Sequence, residues 1–203
     1  MPSKKLDAPR LAQAAHLDVT AIFSFCAGFP GTPGAAFSLK QLSCPHCQQS
    51  ETLNRHSLLY GNDPFACAKE RVRGQRVFCS NRGRRVGCGR TFSVFLSDTL
   101  PRHTLTATLL WQWLIQRLAG LSAKAAAEKA NLPFALETVY HLGRKLCRGL
   151  ARLRTLLCRE QAPPASAQDD PVLQSMEHLQ KVFPGQECPP AAFQLGFQVP
   201  VLG

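Results

Sequence analysis

The 203-residue sequence predicts a small α+β protein in which short antiparallel strands precede a group of helices, with irregular extensions at both ends. Three observations lead there. Between residues 42 and 98, cysteine pairs alternate with short apolar runs bounded by turn residues. Between 99 and 160, leucines recur every three or four positions, the period of a helix with one buried face. Residues 1–41 and 161–203 show no such period; "GFPGTPG" and "QAPPASAQDDP" have the composition of linkers. The expected organisation is a partly disordered extension (1–41), a cysteine-rich strand domain (42–98), a helical domain (99–160) and a flexible Pro-rich tail (161–203).

In the first segment, "VTAIFSFCAGF" (19–29) follows Lys4, Lys5 and Arg10 and has a faint signal-peptide look. Asp18 at its edge and the following "GFPGTPG" argue against that reading. No run reaches the roughly 18 apolar residues of a membrane span, so no membrane partner is expected.

The second segment holds Cys44-Pro-His-Cys47 and, further on, Cys79 and Cys88. Two residues between thiols let one turn aim both sulfurs at one ion. "LNRHSLLY" (53–60) and "GQRVF" (74–78) read as strands, with "GNDP" (61–64) as a turn after the first and "TFSVFL" (91–96) as a strand after Cys88. Two cysteine knuckles at the ends of short strands describe a zinc ribbon, with Cys44, Cys47, Cys79 and Cys88 as ligands. A sheet this small buries too little apolar surface to fold alone, and Zn²⁺ on four thiolates supplies on the order of 10 kcal/mol. The chain has nine cysteines, an odd number, and Cys147 and Cys158 lie in a basic helical stretch; both facts favour a reducing, cytoplasmic compartment over a disulfide framework. The rival chemistry is a thiol-disulfide oxidoreductase, for which Cys-Pro-His-Cys is also an active-site sequence. That fold requires a long helix directly after the motif, and "QQSETLNRHS" carries no helical apolar stripe.

"CPHC" followed by "FCSNRGRRVGCGRTF" resembles the zinc-ribbon segment at the front of bacterial insertion-element transposases and their accessory DNA-binding proteins. Cys88-Gly89-Arg90-Thr91-Phe92 matches the ending of that family's second knuckle. The resemblance spans about residues 42–158 and implies a helix-turn-helix after the ribbon, double-stranded DNA as partner and a transposase catalytic subunit as a second one. The family's second pair is usually Cys-x2-Cys, whereas eight residues separate Cys79 from Cys88, so Cys67, His46 and His56 stand as alternative ligands to Cys79.

The third segment has helix-turn-helix grammar of its own. "LPRHTLTATLLWQWLIQRLAGLS" (100–122) is a helix beginning near Pro101 and ending at Gly120, with Trp111 and Trp113 as packing residues. Ser122 caps a short alanine-rich helix over 123–130. Asn131 suits a left-handed turn and Pro133 the first turn of the next helix. In that third helix Val139, Leu142, Leu146, Leu150, Leu153 and Leu157 form an apolar seam. Arg144, Arg148 and Arg152 step along another stripe, with Lys145 and Arg154 nearby. If this is a recognition helix, Thr138, Tyr140 and His141 meet base edges and the arginines meet phosphates.

Charge supports a polyanionic partner. The net charge is +11, and the basic residues concentrate in the middle of the chain, including Arg82, Arg84, Arg85 and Arg90 in the second knuckle. No metal-binding carboxylates for phosphoryl transfer, phosphate loop or Ser-His-Asp set stands out, and His103, His141 and His178 are isolated, so binding rather than catalysis is expected. The expectation is thus a nucleoid-associated cytoplasmic DNA-binding protein of transposase-accessory or regulatory type. The competing classes are a zinc-stabilised interaction module that forms a homodimer along the leucine seam, and an RNA binder.

Overall fold

The computed structural model describes residues 23–26, 39, 42–65, 71–83 and 86–202. The chain divides into two compact units, residues 1–99 and 100–203.

In the first unit, the described strands are β1 (Phe23–Cys26), β2 (Leu53–Gly61), β3 (Arg71–Cys79) and β4 (Thr91–Leu96). They form one sheet in the order β1-β4-β3-β2. β2, β3 and β4 pair antiparallel, as their sequences predict, and β4 begins and ends where the apolar run "TFSVFL" does. The period of two decides the sheet's faces: Val77 is fully buried, whereas its neighbour Arg76 is exposed. Val77 lies opposite Phe92, Gln75 opposite Val94, and Cys79 opposite Leu53, so these residues share one face. Leu53, Val77, Cys79, Phe92 and Val94 are the centre of this unit's core, together with Cys26 and Cys44. Register shifts between Arg55 and Ser57, where β2 carries the extra residue, and between Leu59 and Tyr60, where β3 does, mark irregularities in the pairing of β3 with the edge strand β2. After β2, Asp63 Oδ1 accepts from the backbone of Phe65, a side-chain turn in the expected "GNDP" segment.

β1 corrects one expectation. It lies in the segment assigned to the extension, yet it pairs parallel with β4. Its sequence, FSFC, places Phe25 and Cys26 among buried residues. A four-residue strand carries too little periodicity to stand out beside glycines and prolines.

The second unit is helical: α1 (Ala107–Leu118), α2 (Ala123–Lys129), α3 (Leu136–Glu160), α4 (Pro171–Val182) and α5 (Pro189–Phe197). α1 starts later than Pro101 suggests because Thr106 is the cap, its side chain accepting from Leu109 N. Residues 101–106 form turns, and Leu105 packs into the core from there. Trp111 and Trp113 are both buried, and Trp113 Nε1 donates to Ala123 O at 3.2 Å, tying α1 to the start of α2. Ser122 caps α2, and Asn131 has φ +49°, as the turn chemistry predicts. Pro133 is not in the first turn of α3: the cap is Ala135, without a side-chain hydrogen bond, and residues 130–135 connect the two helices.

Val139, Leu142, Leu146, Leu153 and Leu157 of the predicted seam are buried, with Leu150 partly so and Leu156 added. They pack in the same core as Val172, Met176 and Leu179 of α4 and Phe193 of α5. The flexible tail expected over 161–203 is therefore corrected to two packed helices. Asp170 Oδ1 accepts from Val172 N and Pro171 stands in the first turn of α4; Pro189 and Pro190 open α5. These prolines start helices, where the missing N–H costs nothing.

Candidate metal centre

Four thiols from three places in the sequence meet beside the sheet. The first knuckle, residues 44–48, is closed by Gln48 N donating to Cys44 O at 2.7 Å and Cys44 N donating to Gln49 O at 2.9 Å. The second grows from the end of β3, where Cys79 N donates to Arg90 O and Gly89 N donates to Cys79 O, both at 2.9 Å. Gly87 N donates to Ser80 O at 3.0 Å. A Cβ at Gly87 would collide with that carbonyl and lie 2.7 Å from Cys79 Sγ, so only glycine lets the chain pass this close. Gly89 has φ +72°, which turns Cys88 back toward the site.

The Sγ atoms of Cys44, Cys47, Cys79 and Cys88 all lie within 4.8 Å of one another. Cys44 and Cys88 are 3.7 Å apart, as are Cys47 and Cys79. A disulfide needs about 2.05 Å. A tetrahedral ion with bonds of about 2.3 Å sets its sulfurs roughly 3.8 Å apart. The four thiols are therefore spaced to hold one metal ion. Cys44 and Cys79 are fully buried, which shields the site on its sheet side.

The electrostatics differ between the two buried thiols. Burial pushes the Cys44 thiol up to about 12, against the backbone N–H groups of Cys47 and His46. Burial acts upward on Cys79 too, but hydrogen bonds from Thr52 and from Cys88 N–H, with the neighbouring thiols, bring it down to about 7. The Thr52 hydroxyl is 3.2 Å and Cys88 N 3.3 Å from that sulfur. Thr52 and Gly87 escaped sequence reasoning. The signal for Gly87 was its place beside a cysteine, but only the approach to Ser80 O shows why it is needed.

The set closes on Cys79, so neither His46 nor His56 is required as a ligand; Cys67 lies outside the described residues. The geometry expected of a thiol-disulfide oxidoreductase is not found. Residues 45–47 form a turn, Ser43 bridges Ser50, and the described residues directly after the motif, 48–65, contain no helix.

The predicted nucleic-acid residues fall in both units. Arg82 and Arg90 are exposed beside the second knuckle, while Arg84 and Arg85 lie outside the described residues. On α3, Thr138, Tyr140, His141, Arg144, Arg148 and Arg152 are exposed, away from the buried seam. Lys145 is half-buried and donates to His103 Nε2 at 3.3 Å. Arg154 is committed inside its unit: Nε donates to Ser175 Oγ at 2.8 Å, and Nη2 donates to Pro171 O and Gln174 Oε1, both at 3.0 Å.

No protein-family model, curated protein or solved structure matches this chain. Among the described residues, no helix is long and apolar enough to cross a membrane.

Proposed function

We propose that this protein binds double-stranded DNA through a zinc ribbon and a helix-turn-helix, as an accessory or regulatory factor of the transposase-related kind, and that it acts by binding rather than by catalysis. The metal is zinc. Sulfur-only tetrahedral coordination suits Zn²⁺, and four protein ligands leave no open position of the kind a catalytic zinc uses. Cys44, Cys47, Cys79 and Cys88 hold it, and its work is structural.

The observation that carries the DNA reading is the exposed face of α3. Thr138, Tyr140 and His141 lie near its N-terminus, and Arg144, Arg148 and Arg152 follow at four-residue steps. α3 itself follows the short α2 through the left-handed Asn131. In this reading the N-terminal part of α3 enters the major groove, and the arginines form bidentate hydrogen bonds to phosphates. Arg82 and Arg90 beside the metal knuckle add further phosphate contacts. The site of action is the nucleoid, and a transposase catalytic subunit is the natural protein partner.

The competing interaction module loses its principal support. It needed the leucine seam of α3 as a free dimerisation face, and that seam packs in the chain's own core, with α2 and α4 against α3.

Titration of duplex DNA at several salt concentrations tests the reading. Each phosphate neutralised contributes about −0.9 to the slope of log K against log salt. The double variant Arg144→Ala, Arg148→Ala is expected to flatten that slope by about 2 and to weaken all duplex sequences alike. A salt-independent affinity, or an unaltered slope in the variant, refutes it.

A further inference from the structure

The second unit contains a cavity of about 340 Å³ between the C-terminal end of α3, the extended segment that follows it, and α4. Its lining includes Arg154, Cys158, Pro163, Pro164, Ser166 and His178. We infer that this cavity is a binding site for a small carboxylate that also carries a hydrogen-bond donor. The inference is independent of the DNA reading.

The chemistry follows from which lining groups are already engaged. His178 is 2 % exposed. Its Nε2–H donates to Gln161 O at 2.8 Å, which leaves Nδ1 as the acceptor in the neutral tautomer. Among the described residues Nδ1 has no partner, so a ligand that satisfies it must bring a donor. Arg154 spends Nε and Nη2 on Ser175, Pro171 and Gln174, which hold its guanidinium in place. Its Nη1 has no partner among the described residues and keeps two N–H donors. The Ser166 oxygen accepts from Gln168 N, and its O–H remains to donate. One fixed cation and no carboxylate line the cavity, so the complementary group is an anion. Pro163 and Pro164 give an apolar wall suited to a flat ring. At about 30 Å³ per water, the volume equals roughly eleven waters, the size of a ligand of about ten heavy atoms. The simplest molecule with all these features is a hydroxybenzoate: a carboxylate for Arg154 and Ser166, a ring for the prolines and a hydroxyl for His178.

The exposed thiol of Cys158 reports on the cavity it lines, and the exposed Cys147, on the same helix but outside the lining, is the internal control. The experiment is alkylation of the full-length zinc-loaded protein by iodoacetamide, with and without 4-hydroxybenzoate, each site read by peptide mass spectrometry. Only the free protein reacts, so probe at ten times its Kd slows Cys158 about elevenfold and leaves Cys147 unchanged. 4-Hydroxybenzamide, without the anion, and 4-methoxybenzoate, without the donor, give far less protection. Arg154→Gln removes the effect, and Ser166→Phe, which fills the cavity while keeping Arg154, removes it also. An unchanged rate at Cys158, equal slowing at Cys147, or equal protection by the neutral amide overturns the inference.

Discussion

At the scale of single residues, the metal centre depends as much on what is missing from a side chain as on the four sulfurs. Gly87 lies where the second knuckle doubles back on the end of β3, and a methyl group there meets both Ser80 O and Cys79 Sγ. The carbonyl belongs to the backbone and cannot rotate away, so the knuckle itself has to move. Gly87→Ala is accordingly expected to cost about 1–3 kcal/mol, the range for overpacking at a tight site. It should also weaken metal retention, since the shifted sulfur belongs to the four-thiol set proposed to hold the ion. Competition against a chromophoric chelator reads the metal affinity, and thermal unfolding reads the stability. Affinity and melting temperature equal to the unsubstituted protein would show that the close approach has no energetic weight. Cys79 illustrates how far the sequence reaches at this scale. The long step to Cys88 left Cys67, His46 and His56 as alternatives, because ligand spacing constrains a loop but does not say how it folds. The hydrogen bonds Cys79 N to Arg90 O and Gly89 N to Cys79 O bring the ends of that loop together regardless of its length.

At the scale of elements, legibility followed period and punctuation. β4 and α2 were readable because an apolar run or a capping serine marks them, and the seam of α3 because its leucines repeat over many turns. α4 and α5 were lost because their starting prolines lie in a stretch whose composition resembles a linker. Asp170-Pro171 is in fact a helix start, with a capping side chain followed by proline at the first helical position. Without α4 most of the long seam of α3 lacked a visible partner, and a homodimer stood as one way to bury it. The same packing separates the arginines of α3 into two kinds. Arg152 is exposed and points to solvent, whereas Arg154 bridges to Ser175, Pro171 and Gln174 of α4. Arg154→Ala should destabilise the helical unit by about 2 kcal/mol, as expected when charge-assisted hydrogen bonds are removed from a partly buried site. Arg152→Ala should change stability by less than about 0.5 kcal/mol. Denaturant unfolding of the two variants makes the comparison, and equal effects would contradict the assignment of Arg154 to the α3–α4 junction.

At the scale of the whole molecule, the two units differ in what holds them together. The helical unit has a core that includes Trp111, Trp113, Leu114, Leu146, Met176 and Phe193, drawn from four helices. The strand unit has a smaller described core, in which Cys44 and Cys79 are themselves metal ligands in the proposed reading and Cys47 and Cys88 pack against it. Removing the ion from that unit leaves thiols with no common partner and takes away a binding free energy of order 10 kcal/mol, more than a sheet of this size supplies. The helical unit contains no part of the cluster and loses nothing directly. Chelation should therefore unfold one unit and spare the other. Hydrogen exchange read by mass spectrometry on the full chain separates them: after treatment with a strong zinc chelator, amides of β2, β3 and β4 should exchange at unprotected rates. Those of α1 and α3 should keep their protection. Loss of protection in both units together would show that the ion supports the helical unit as well. Unchanged exchange in the strands would show that the sheet stands without it, and would remove the reason for a structural metal in this protein.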